Sequence, residues 1–129
     1  MATRSKIEKL IIKELKEKGF DVVHSYRINK KIYDIYIPKL KMLIEFNGDY
    51  WHCNPKRYSS DYFNVKRNMT AQEIWKKDAI KEALAINEGF NFLTIWESDY
   101  RKNKKIIFKK IIQKNGRKHI HHIRTGIFS

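Results

Sequence analysis

Apolar positions recur along this chain with two different periods, and each change of period marks an element. Ile7, Leu10, Ile11 and Leu15 follow helical spacing, and Gly19 is a natural stop. Ser5-Lys6-Ile7-Glu8 reads as a capping box at the head of that helix. Residues 20–26 read as a first strand, and residues 32–37 alternate as a second. Residues 38–41 form a turn. Residues 42–46 make a buried, strongly apolar third strand that Asn47-Gly48 ends. Residues 49–69 are polar, aromatic and basic without a clear period, and a loop of that length in a compact domain is usually functional or mobile. Thr70-Ala71-Gln72-Glu73 is a second capping box, opening a helix to about Glu88 with Gly89 as its stop. Residues 90–96 read as a fourth strand. Residues 101–115 read as a last helix, with Ile107, Phe108, Ile111 and Ile112 on one packing face.

The order α-β-β-β-α-β-α predicts an α/β fold. A hairpin feeds a crossover helix, which makes the third and fourth strands parallel in a four-stranded mixed sheet flanked by helices. At 129 residues the chain fits one domain with one core. No stretch resembles a signal peptide or a membrane span, so the expectation is a soluble cytoplasmic protein with no membrane partner. A single cysteine, Cys53, excludes an internal disulfide and any zinc site built from several cysteines. It follows His52, but adjacent residues rarely point at one substrate atom.

Charge narrows the partner. Lys plus Arg exceed Asp plus Glu by 28 − 14 = 14, and no acidic residue follows Asp99. Such a balance suits a polyanion. Tyr50, Trp51, Tyr58, Tyr62 and Phe63 are interleaved with the basic residues, which favours nucleic acid because aromatics stack on or wedge between bases. Lys56, Arg57, Lys66, Arg67 and the basic tail, including Arg117 and Lys118, are the candidate backbone contacts. His119, His121 and His122 read as part of that tail rather than as a metal site.

The candidate chemistry lies between Asp34 and His52. Asp34 sits inside an apolar strand, where an unpaired carboxylate is unfavourable, and Glu45 ends the run Met-Leu-Ile on the next strand. The hairpin brings them side by side, and two like charges there repel unless a cation joins them. Converging carboxylates make a hard, oxygen-rich site of the kind Mg²⁺ prefers. His52, just past the strand end, is the nearby candidate base for activating water.

Asp34 on the second strand, Glu45-Phe46-Asn47 on the third, Trp51-His52, and the stretch from Asp78 through Gly89 to Trp96-Glu97 resemble the PD-(D/E)XK nuclease superfamily. The chain is most similar to the very short patch repair (Vsr) endonucleases and the phage homing endonucleases of the EDxHD type, over roughly residues 5–98. The resemblance implies a restriction-endonuclease-like core over residues 1–100, with residues 101–129 as a basic helix and tail packed on the same domain. It implies that Asp34 and the main-chain carbonyl of Phe46 bind the metal. His52 is then the general base, Asp78 its partner, and Glu8 an accessory carboxylate at the metal's water shell. Tyr50 and Trp51 would be the aromatics that touch bases.

Glu45 is an extra carboxylate relative to the mismatch-repair members, and Asn47 stands where the wider superfamily places its lysine. An amide cannot act as a base, which shifts proton chemistry to His52. The region matching the Vsr zinc site offers Asp49, Asn54 and Ser98, so no structural zinc is expected. Two candidates keep a structural alternative: Glu8 as the third member of the Ser5 capping box, and Asp78, flanked by lysines, as a solvated helix salt bridge.

The resulting expectation is a Mg²⁺-dependent endonuclease acting on double-stranded DNA as a monomer or homodimer, with Mn²⁺ as a substitute ion. A catalytically inactive DNA-binding module on the same fold, motivated by Asn47, is the alternative. An RNA-directed nuclease or RNA binder is a second one.

Overall fold

A computed structural model describes residues 6–113. Ser5, Arg117, Lys118 and the three tail histidines lie outside the described residues. The elements are α1 (Lys6–Glu17), β1 (Val23–Ile28), β2 (Lys31–Ile37), a 3₁₀ turn (Pro38–Leu40), β3 (Met42–Asn47), β4 (Phe63–Asn64), β5 (Met69–Thr70), α2 (Ala71–Asn87), β6 (Asn91–Trp96) and α3 (Glu97–Gln113).

Strands β1-β2-β3-β6 form the main sheet in that order. β1, β2 and β3 are antiparallel, and β3 pairs with β6 in parallel from Met42↔Asn91 to Asn47↔Trp96. The parallel pair follows from the α2 crossover, which returns the chain to the same end of the sheet. Ile35, Ile37, Met42, Ile44, Leu93 and Ile95 cover one face and pack against α1 and α3. Tyr33, Leu43 and Phe92 cover the other and pack against Ala85 and Ile86 of α2. The result is a mixed α/β arrangement with helices on both faces of a four-stranded mixed sheet. Among the described residues no helix is long and apolar enough to cross a membrane.

α1 and α2 end in the same way. Gly19 and Gly89 adopt φ of +95° and +89°, which only glycine takes without strain. Phe20 N–H donates to Leu15 O and Phe90 N–H to Ala85 O, so each helix closes in a Schellman motif with an aromatic beyond the glycine. The start of α2 is a reciprocal capping box. Thr70 accepts from Glu73 N–H, and the Glu73 carboxylate accepts from Thr70 N–H.

Several sequence-based boundaries shift. The first strand begins at Val23, not residue 20, because residues 18–22 complete the helix stop. Leu10 is exposed, and Ile12 takes its place in the core. The aperiodic segment contains the short β4–β5 hairpin, whose two-residue strands are too brief to show a period. The last helix begins at Glu97 and kinks at Asn103, whose side-chain Oδ1 accepts from Ile106 N–H and caps the second half. Of the predicted packing face, Ile107, Phe108 and Ile111 enter the core while Ile112, at the edge of the stripe, is exposed.

Thr70→Ala removes the acceptor at the head of α2. It is expected to lower stability by about 1 kcal/mol, read as a shifted urea midpoint at unchanged m-value.

Candidate active site

A break in strand alternation creates the site. Strict alternation would put Tyr33, Ile35 and Ile37 on one face, yet Tyr33 packs toward α2 while Ile35 and Ile37 pack toward α1 and α3. The slip falls at Asp34. Opposite it Ser25 has φ of +53°, and Ser25–Asp34 is the pair missing from an otherwise continuous β1–β2 register. The β2–β3 ladder likewise stops at Ile35↔Ile44, one residue before Asp34 would face Glu45.

Beyond that point the carboxylates take the ladder's donors. Asp34 N–H donates to Glu45 Oε2 at 2.8 Å, and Phe46 N–H donates to Asp34 Oδ2 at 2.8 Å. The N–H and C=O of one strand residue point to the same side. By that geometry the Phe46 carbonyl lies on the same side of β3 as its N–H, toward Asp34.

Glu45 is buried on the α2 face, and its Oε1 accepts from Lys81 Nζ at 2.7 Å. Burial and the neighbouring Asp34 charge push its carboxyl up to about 7, against the opposing pull of Lys81 and the Asp34 N–H. Lys81 is itself placed from below: its ammonium lies 4.9 Å from the Tyr33 ring centroid, and Tyr33 Oη donates to the Lys81 carbonyl. Burial and the Glu45 charge raise the Tyr33 hydroxyl to about 12, so it stays a donor.

The second pair is His52 with Asp78, Nδ1 to Oδ2 at 2.9 Å. A carboxylate only accepts, so Nδ1 is the donor in this contact and Nε2 is the ring nitrogen left to other partners. The Trp96 ring meets the imidazole edge-on at 6.4 Å between centroids. The loop carrying His52 is fixed by short bonds: His52 N–H to Gly48 O, Trp75 Nε1 to Cys53 O at 2.7 Å, and the fully buried Asn64 side chain to Tyr50 O. Cys53 is buried against Ala71 and Ile74, so its role is packing.

Asp78 and Lys81 lie three residues apart on one side of α2, one facing His52 and the other Glu45. Glu45, Asn47, Asp78, Lys81, Thr94 and Trp96 line one cleft of about 520 Å³. One member of each pair, Glu45 and Asp78, therefore lines the same space. Asn47 is buried in it. Glu8 is buried on α1 beside Ile7, Ile11 and Ile12.

Asp49, Asn54 and Ser98 bond to one another. Asn54 Nδ2 and Ser98 Oγ both donate to Asp49 Oδ1, tying the His52 loop to the head of α3. Lys56, Arg57 and Lys66 are exposed, as are Tyr50 and Trp51. Arg57 lies 3.7 Å from Asp49, and Arg67 clasps Trp51 through its carbonyl and its ring.

The sequence-based reading missed Lys81, Tyr33 as its support, and Asn64 as the anchor of the His52 loop. Spacing to Asp78 was the available signal for Lys81. Nothing local marks Tyr33 or Asn64.

The donor set suits a hard divalent cation. Among the described residues no three or more His, Cys, Asp or Glu side chains gather as a metal cluster. What is present is two carboxylates and a main-chain carbonyl. Mg²⁺ typically takes only one or two carboxylates and keeps several waters. Asp34 retains Oδ1 as its remaining acceptor, whereas Glu45 would share its charge between the ion and Lys81. No protein-family model, curated protein or solved structure matches this chain.

Glu45 gives a pH signature. Its folded-state pKa of about 7 lies above the ordinary 4.5, so between those values the folded chain binds more protons than the unfolded one. Stability therefore falls as pH rises through that window. In metal-free buffer, urea unfolding is expected to show this decline, and Glu45→Gln is expected to flatten it. An equal slope in both proteins would place its origin elsewhere.

Proposed function

We propose that this chain is a Mg²⁺-dependent DNA endonuclease with a PD-(D/E)XK-like core, its candidate residues resembling those of the Vsr and EDxHD homing enzymes. The observation that carries the reading is one cleft lined by Glu45, whose carboxylate accepts from Asp34 N–H, and by Asp78, whose carboxylate meets His52, in a chain of net charge +14.

Asp34, Glu45 and the Phe46 carbonyl would hold the ion. Bound there, it supplies positive charge to the scissile phosphate and to the leaving oxygen. His52 Nε2 takes a proton from the attacking water, and Asp78 keeps the imidazole oriented and stabilises it once charged. The water oxygen bonds to phosphorus as the P–O3′ bond breaks. The products are a 5′-phosphate and, after protonation of the leaving oxygen, a 3′-hydroxyl. Lys81 is a positioning residue, turning Glu45 into the cleft and offsetting part of its charge. Glu8 serves as the accessory carboxylate, and Lys56, Arg57, Lys66, Arg67 and the tail residues Arg117 and Lys118 carry the DNA backbone. The active form is a monomer or homodimer.

A second reading, a DNA-binding module without turnover, is favoured by one observation. Lys81 meets Glu45 at 2.7 Å and so provides an internal cation for the carboxylate pair.

Incubation with supercoiled plasmid and Mg²⁺ or Mn²⁺ at low salt separates the two. The nuclease reading expects nicked or linear product, loss of that product in Asp34→Asn, and a rate lowered by about 10²–10⁴ in His52→Ala. Wild-type rates in either variant would overturn the assignment, and metal-independent binding without cleavage would favour the module. Under both readings DNA affinity is expected to drop steeply with salt, by about 10³–10⁵ between 50 and 200 mM for 6–10 phosphate contacts. A flat response would exclude a polyanion partner.

A further inference from the structure

The β4–β5 hairpin carries an apolar tip that the core does not use. Val65 is 75% exposed and Phe63 48%, and Trp51 of the His52 loop is 49% exposed. Lone exposed apolar residues are ordinary. Phe63 and Val65 share one hairpin, and Arg67 of the same hairpin links it to Trp51, its guanidinium 5.0 Å from the Trp51 ring centroid. Lys66 is exposed beside them. An apolar point flanked by cations is not a surface that gains from water on every side.

The tip is also rigidly moored. Phe63 pairs with Thr70 and Asn64 with Met69, leaving residues 65–68 as the turn. Arg67 N–H bonds both the carbonyl and the side chain of Asn64, and Asn68, at φ of +56°, donates to Val65 O. Asn64 is fully buried and holds Tyr50 O. Arg67 Nη1 holds Trp51 O at 2.9 Å. Both anchors land on the loop that carries His52, so the tip stands at a fixed offset from the candidate base.

We infer that this tip enters the major groove of duplex DNA, with Val65 against a thymine methyl and Lys66 on phosphate, and so selects the base step presented to His52. The inference rests on the duplex-DNA part of the reading above. The major groove of B-DNA admits a two-stranded ribbon. Val65 has no hydrogen-bonding group, and the thymine methyl is the apolar feature exposed there. The charge of the chain and of Lys66 matches the phosphates.

The test reads binding with EDTA present, using short duplexes with a randomised centre. Wild type is expected to enrich thymine at one position, and Val65→Ser to lose that enrichment. On the selected duplex Val65→Ser should bind about fourfold more weakly, the worth of one buried methyl-sized contact, with unchanged salt dependence and unchanged affinity for random duplex. Replacing the selected thymine by uracil should weaken wild type similarly and leave Val65→Ser unaffected. Val65 is surface-exposed, so the variant keeps its fold, while Lys66→Ala should weaken all duplexes alike and lower the salt slope by about one.

Identical selection by wild type and Val65→Ser would overturn the inference. So would a uracil effect in the variant equal to that in wild type, or no duplex-DNA binding. A preference for duplex RNA would do the same, since its major groove is too narrow for the ribbon. Cleavage is scored separately. A protein that keeps the thymine pattern but never cuts DNA would defeat the nuclease reading alone, and a nuclease indifferent to Val65 would defeat this inference alone.

Discussion

The candidate site depends on an exchange of bonds at the end of the β2–β3 ladder. Two backbone N–H groups that a longer ladder would pair with carbonyls donate instead to Asp34 and Glu45. Hydrogen bonds to a charged acceptor contribute about 1.5–3 kcal/mol each, enough to hold two carboxylates where their mutual repulsion would separate them. The exchange also ends the pairing of the strands and turns the Phe46 carbonyl toward the same space. Ser25, with its positive φ, absorbs the matching irregularity on β1. Strand termination and site formation are thus one event.

α2 joins the halves of the cleft. Its C-terminal half is anchored to the sheet by Ala85 and Ile86, and its N-terminus is fixed by the Thr70 box. Between these anchors Asp78 and Lys81 face outward over the cleft, a spacing that one helical turn makes obligatory. Any tilt of α2 would move both contacts together. The burial that raises Glu45 and the ammonium that restrains it come from this same packing. Exposed ion pairs such as Lys13–Glu17 contribute little by comparison. The buried Glu45–Lys81 pair sets geometry more than stability.

Elements with strong local signals were legible in the chain. Both helix stops were marked by glycine, the α2 start by its capping box, and the parallel β3–β6 pair by the strand–helix–strand order. Asp34 and Glu45 stood out because charge in an apolar strand is costly to place idly, and His52 because it follows them closely, whereas Asp78 was marked by the family resemblance alone. Leu10 and Ile112 were misread because periodicity gives a stripe but not which edge of the stripe meets a neighbour. The short hairpin at residues 63–70 was invisible because two-residue strands carry no period.

The sequence by itself determined the element order, the sheet's mixed topology, and the residue types available for chemistry, since these follow from local propensity and the spacing of apolar positions. Only the tertiary structure decided that Asp34 pairs with Phe46 N–H, that His52 meets Asp78 across 26 positions, and that Lys81 reaches Glu45 across 36. The last two depend on the seating of α2 against the sheet. That seating is fixed by side-chain packing among distant residues, which no local pattern encodes.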